Sequence, residues 1–184
     1  AFSLMIGDGA SAYLSLKLGE KKQKDAEKGI GNAILLSAIV SILFCIITLI
    51  FLPQFLTIFG CTENLKSYAM AYGKIIAIGL PFSMIGTTLN SIIRADGSPK
   101  YAMTSMLVGA ILNTILDPIF IFVLDGGVEG AAIATVISQI LTFILNVVYI
   151  RKFKSIKITK ENLKLKANVC RRISILGISS FITQ

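Results

Sequence analysis

"YAMTSMLVGAILNTILDPIFIFVL", residues 101–124, is a run suited to hydrocarbon that carries Asn113, Asp117 and Pro118 in its second half. A bilayer core of about 30 Å takes roughly 20 apolar residues of helix, so the run is long enough to cross. A carboxylate at membrane depth is costly and rarely present without a role. Counted at about 1.5 Å per residue from the outer end at Leu124, Asp117 lies roughly 10 Å below the outer boundary. Asn113, four residues earlier, shares its helix face one turn deeper. Pro118 has no N–H, and its ring crowds the carbonyl of Thr114, which is expected to lose its helical partner. An amide, a carboxylate and a free carbonyl are hard oxygen ligands, suited to Na⁺ or to a carboxyl that carries a proton.

The rest of the 184-residue chain fits the same solvent. It is 54% hydrophobic with a mean hydropathy of +0.78 and only 15% charged residues, against roughly 25% in ordinary soluble domains. Three further runs reach spanning length: Ile30–Leu52, Ala69–Ile93 and Gly130–Ile150. Ala1–Leu18 reads as the end of another span, and Ile173–Gln184 as the start of one more, so the sequence reads as a piece of a longer protein. "LPQFLTIFGCTENLKS", "RADGSPK" and "DGGVEG" carry the turn residues expected between spans. The sequence has no His, which removes His-based acid–base chemistry and most Zn or Cu sites. Cys45, Cys61 and Cys170 form no CxxC pair and no metal spacing.

Basic residues set the orientation. The loops 17–28, 53–67, 94–100, 125–129 and 151–172 hold 5, 1, 2, 0 and 9 Lys or Arg. Rich and poor alternate strictly, which places loops 17–28, 94–100 and 151–172 in the cytoplasm. The net charge of +8 is therefore a topology signal, and no basic helix face with interleaved aromatics points to nucleic acid.

Partners for Asp117 are sought at matching depth. Thr135 and Tyr72 each lie within about 10 Å of the outer boundary on neighbouring spans, and their hydroxyls could ligate or hydrogen-bond the carboxylate. Lys74 is the rival partner, in a plain ion pair. Tyr72 and Lys74 are about 200° apart around one helix, so both cannot face one site. A second acid, Asp8, lies about 15 Å from the cytoplasmic end of its span, between Gly7 and Gly9, as a possible cavity-lining residue. Small residues from Gly130 to Ala134, and Gly73, Gly79 and Gly86, read as close helix contacts.

Three stretches carry a resemblance: "AYLSLKLGEKKQKDAEKGIGNA" (12–33), "YGKIIAIGLPFSMIGTTLNSIIRADGSPKYAM" (72–103) and, most specific, "NTILDPIFIFVLDGGVEGAAIATVISQ" (113–139). Together they make the chain similar to the multidrug and toxic compound extrusion (MATE) transporters. The resemblance implies an all-α membrane protein of twelve helices in two bundles of six. This chain would supply the second to sixth helices over residues 1–150, an inter-lobe basic loop over 151–172, and the start of the seventh helix over 173–184. It implies an antiporter in the cell membrane that exports cationic or amphiphilic drugs against H⁺ or Na⁺, with no other cofactor. Its partners would be those drugs, membrane lipid and the remainder of its own chain. Asn113, Asp117 and Thr135 match the family's amino-terminal-lobe cation site, with Tyr72 near it; with Na⁺ as the coupling ion the first three would be its ligands. Asp8 matches no family position. Two other readings were weighed. A lipid-linked oligosaccharide flippase would need several basic residues in its cavity. An intramembrane enzyme would need paired acids, a Ser/Lys pair or a metal cluster at one depth.

Overall fold

The computed structural model describes residues 1–156, 162 and 165–182. Six α-helices account for most of them: α1 (Phe2–Gly19), α2 (Gln23–Ile58), α3 (Glu63–Ala95), α4 (Pro99–Pro118), α5 (Gly127–Ile150) and α6 (Ala167–Ile182). A π-helical turn, Ile119–Val123, extends α4. Four helical stretches are long and apolar enough to cross a membrane: Gln23–Ile58, Glu63–Ala95, Pro99–Val123 and Gly127–Ile150. Many of their large apolar side chains, such as Ile42, Leu43, Leu107, Ile111 and Ile115, are exposed. Water would penalise that surface and lipid does not.

Gln23–Ile58 and Glu63–Ala95 outrun their apolar runs at both ends, and Pro99–Val123 and Gly127–Ile150 at their starts. Apolar length marks the hydrocarbon core, whereas the helix continues into the polar interface. α2 also passes Pro53, read above as a break. Proline removes one backbone bond, to Leu49, and the helix closes its end around it: Thr57 Oγ1 donates to the Pro53 carbonyl at 3.0 Å. α6 begins at Ala167, six residues before the expected Ile173. Of the expected basic loop and last span, residues 157–161, 163, 164, 183 and 184 lie outside the described residues.

α3 is central and packs on α1, α2, α4 and α5, while α6 packs on α1 and α2. The largest buried cluster joins Ile6, Ala10 and Leu14 of α1, Ile30 and Ala33 of α2, Ile92 of α3, Ile173 of α6 and Ile156. Ile156 comes from the segment that follows α5 and folds back under the bundle. Asp96, 3% exposed, holds that segment. Its carboxylate accepts the Lys154 and Ser155 amides, both at 2.9 Å, and the Tyr149 hydroxyl at 3.1 Å. Gln23 Nε2 donates to the Ser155 carbonyl at 3.0 Å. The three basic loops therefore meet at one end of the bundle, the common side that their alternation with the poor loops predicts. There Lys17 and Lys22 both pair with Glu20, at 2.7 and 3.1 Å, and hold its carboxyl below the usual carboxylate value.

Glycines let the backbones touch. A Cβ on Gly9 would strike the Ile173 carbonyl of α6, and one on Gly177 the Met5 carbonyl of α1. α1 and α6 thus cross with no side chain between them. Gly9→Ala is expected to destabilise the bundle by about 1–3 kcal/mol, the range for overpacking a tight contact. Gly19→Ala, which meets nothing within 4 Å, should leave stability unchanged. Denaturant titration in detergent micelles distinguishes the two.

Candidate cation site and its cavity

Asn113 and Asp117 lie one turn apart on α4, and Thr135 faces them from α5. Asn113 Nδ2 donates to Asp117 Oδ1 at 3.1 Å and reaches Thr135 Oγ1 at 3.5 Å. Thr135 Oγ1 in turn donates to the Ala131 carbonyl at 3.0 Å. All three side chains are half-buried. No described residue hydrogen-bonds the second Asp117 oxygen or the Asn113 carbonyl oxygen, so the cluster keeps free oxygen acceptors beside a carboxylate. Pro118 offers no N–H to Thr114, and the next amide, Ile119, bonds Leu116 instead. The π-helical turn then closes with the Leu124 amide on the Ile119 carbonyl at 2.9 Å. The helix is re-registered directly after Asp117.

The structure brings together three of the four residues singled out in the sequence. Tyr72 sits exposed on α3 and makes no hydrogen bond with the other three. Lys74 is exposed too, and among the described residues it forms no ion pair with Asp117. Asp8 is half-buried on α1, away from this cluster, and accepts the Ser91 hydroxyl at 3.0 Å. Among the described residues, no three His, Cys, Asp or Glu converge as a metal cluster.

Asn113 and Thr135 open onto a cavity of about 460 Å³ between α3, α4 and α5, whose wall also includes Ser83, Thr87, Asn90, Arg94, Ser138, Gln139, Thr142 and Asn146. That volume suits a drug-sized ligand. Asn90 and Asn146 are committed to structure. Asn90 Nδ2 donates to the Ala102 carbonyl at 2.8 Å, and Asn146 Nδ2 to the Gly86 carbonyl at 3.0 Å. Gln139 Oε1 is buried and has no hydrogen-bond partner. Sequence reasoning missed this wall. Its signal was a polar stripe at helical spacing on α5 (Thr135, Ser138, Gln139, Thr142, Asn146) and another on α3 (Ser83, Thr87, Asn90, Arg94).

A bundle of four helices long and apolar enough to cross a membrane, with a half-buried carboxylate cluster beside a cavity of drug-like size, defines a polytopic membrane protein. The sequence profile of the MatE family matches residues 1–119, and the chain belongs to that family, the MATE transporters. It is similar to the multidrug export protein MepA of Staphylococcus haemolyticus (strain JCSC1435), 30% identical over 183 residues, covering 99% of this chain and 40% of that one. It is also similar to the probable multidrug resistance protein YoeA of Bacillus subtilis (strain 168), 28% identical over 158 residues and 34% of that chain. Among solved structures, an inward-facing multidrug resistance MATE family transporter of the MOP superfamily superposes with a TM-score of 0.90 at 25% identity, covering 97% of this chain and 41% of that one. A MATE protein in its bent conformation gives 0.92 at 25% identity, over 99% and 41%. The chain thus spans about 40% of the length of these relatives.

With no Lys74 pair to break, Lys74→Met is expected to leave the amount of folded protein within the spread of ordinary surface changes, about 0.5 kcal/mol. Asp117→Asn, which keeps shape and hydrogen-bonding capacity, should also leave it unchanged. Size-exclusion profiles of fluorescently tagged variants measure both. A marked loss for Asp117→Asn that Lys74→Met rescues would make Asp117 a structural ion-pair member.

Proposed function

We propose that this chain is the amino-terminal-lobe part of a multidrug efflux antiporter of the cell membrane, coupled to H⁺ or Na⁺. The observation that carries the reading is the Asn113–Asp117–Thr135 cluster opening on a drug-sized cavity. Residues 1–150 form the lobe's helices, and α6 begins the helix that leads to the second lobe. A carboxylate held out of water favours its protonated form, and a nearby cation favours the ionised one. One group can therefore hold a proton or a metal ion, or give up either when a cationic drug is favoured. Asp117 is the coupling residue, and Asn113 and Thr135 supply neighbouring oxygens. Rocking of two lobes about a central site then alternates access. The multidrug export and resistance names of the relatives support this reading. A lipid-linked pyrophosphate carrier is disfavoured, because Arg94 alone is basic among the described cavity residues.

In a complete transporter carrying this chain, Asp117→Asn is expected to abolish efflux driven by an imposed ion gradient while the protein stays inserted and abundant. Normal efflux per molecule would reject the coupling role. Imposing proton and sodium gradients separately identifies the ion.

The orientation is tested independently. With the three native cysteines replaced, Glu129→Cys should react with an impermeant thiol reagent in intact cells. Lys152→Cys should react only after permeabilisation. The reverse pattern would invert the topology.

A further inference from the structure

Arg94 is the one charged side chain among the described residues that line the cavity. It sits in the last turn of α3, where a base complements the helix dipole and the cytoplasmic boundary. That explains a base at this height. It does not explain what the guanidinium touches. Arg94 Nη2 donates to Ser91 Oγ at 2.9 Å, and the same hydroxyl donates to Asp8 Oδ1 at 3.0 Å. A carboxylate on α1 is thus joined to a guanidinium on α3 through one buried hydroxyl; Ser91 is 2% exposed.

The geometry is built rather than incidental. α1 is pressed onto α3 at Gly7, where a Cβ would lie 3.0 Å from both Ser91 Cβ and Oγ and 3.2 Å from Thr88 Cα. Ser11 Oγ donates to the Ser91 carbonyl at 2.8 Å, and Thr88 Oγ1 to the Ser3 carbonyl at 3.1 Å. These contacts above and below hold Asp8 against Ser91. Neither Asp8 nor Arg94 forms an ion pair with any other described residue.

We infer that Asp8 sets the charge selectivity of the cavity: through the Ser91 hydroxyl its carboxylate offsets the positive charge that Arg94 places on the cavity wall. The inference rests on the reading above that the cavity accepts cationic ligands. Asp8 does not line the cavity and acts through Arg94. Without it, a cation in the cavity faces an uncompensated guanidinium. A unit charge about 10 Å away at an effective dielectric constant of about 20 changes affinity on the order of tenfold. An uncharged ligand feels little of this.

The test is equilibrium binding of two probes, tetraphenylphosphonium and uncharged Nile red, to a complete transporter carrying this chain, purified in lipid nanodiscs. Asp8→Asn is expected to weaken tetraphenylphosphonium relative to Nile red on the order of tenfold. Adding Arg94→Gln should return the ratio of the two affinities to that of the parent. Arg94→Gln alone should shift the ratio towards the cation, which keeps the inference testable if Asp8→Asn fails to fold. Equal weakening of both probes by Asp8→Asn, an unrestored ratio in the double variant, or an unchanged ratio in Arg94→Gln would each overturn it. Parent protein that binds neither probe would overturn it as well. Parent protein that binds both yet drives no efflux in cells would defeat the antiport reading alone, and the ratio would still decide the role of Asp8.

Discussion

Hydrocarbon neither donates nor accepts a hydrogen bond, so each polar side chain on these helices has to be matched within the bundle. Most are matched locally. Thr87, Thr104, Thr114, Ser138 and Thr142 each donate to the carbonyl one turn back, at 2.8–3.0 Å. The amides of Asn90 and Asn146 reach carbonyls on neighbouring helices, and Ser105 bridges to Asn146 at 2.8 Å. Among the described residues, the second Asp117 oxygen, the Asn113 carbonyl oxygen and the buried Gln139 Oε1 accept no hydrogen bond, and Asn113 and Gln139 line one cavity. In a protein that must satisfy its polar groups internally, unsatisfied acceptors beside a cavity are the observation on which the proposed binding site rests.

The same constraint explains why backbone contact is so close elsewhere. Lipid gives no hydrophobic drive for helices to associate, so association depends on tight packing and on hydrogen bonds. α1 uses both. Gly9 meets α6 through backbone, while Gly7 on its other side meets Ser91 of α3. At the end of the bundle where the basic loops meet, hydrogen bonds take over. Asp96 draws the segment after α5 under the bundle, and Asn32 Oδ1 accepts the Lys166 amide at 2.6 Å, which caps the start of α6 with a side chain from α2. α6 is thereby fixed at its beginning by a polar clasp and along its length by glycine contact.

How far the sequence could be read follows from which features are local. The apolar runs and the spacing of Asn113 and Asp117 one turn apart each depend on residues within one helix, and the four spans and the Asn113–Asp117 contact are found where they were expected. Most helix starts, and the ends of α2 and α3, are not, because apolarity stops at the hydrocarbon edge and helical hydrogen bonding does not; α5 ends at Ile150 as expected. Tyr72 shows a second limit. A depth count gives height along the membrane normal but not direction around the helix, and Tyr72 is exposed and makes no hydrogen bond with Asn113, Asp117 or Thr135. Thr135, chosen by the same count, faces Asn113. Asp8 shows a third. Its partner Ser91 lies 83 residues away in the chain, and only the packing of α1 on α3 brings them together. The cavity wall was missed for a related reason: its polar stripes look like packing positions until three helices enclose them.

The geometry of the proposed cation site bears differently on its two proposed occupants. Asn113 turns its amide N–H₂ towards Asp117 and Thr135. A proton on Asp117 is compatible with that arrangement, because a carboxyl group still accepts from Asn113 while its second oxygen carries the proton. A Na⁺ ion would need oxygen from every neighbour. The Asn113 side chain would then have to rotate to present its carbonyl, and Thr135 would have to keep a lone pair free while donating to Ala131. The four side-chain oxygens of Asn113, Asp117 and Thr135 are fewer than hard cations ordinarily gather, so Na⁺ would need further ligands from backbone, water or elements beyond these helices. Proton carriage thus asks for no movement of this cluster, whereas sodium carriage couples occupancy to the turn of one amide.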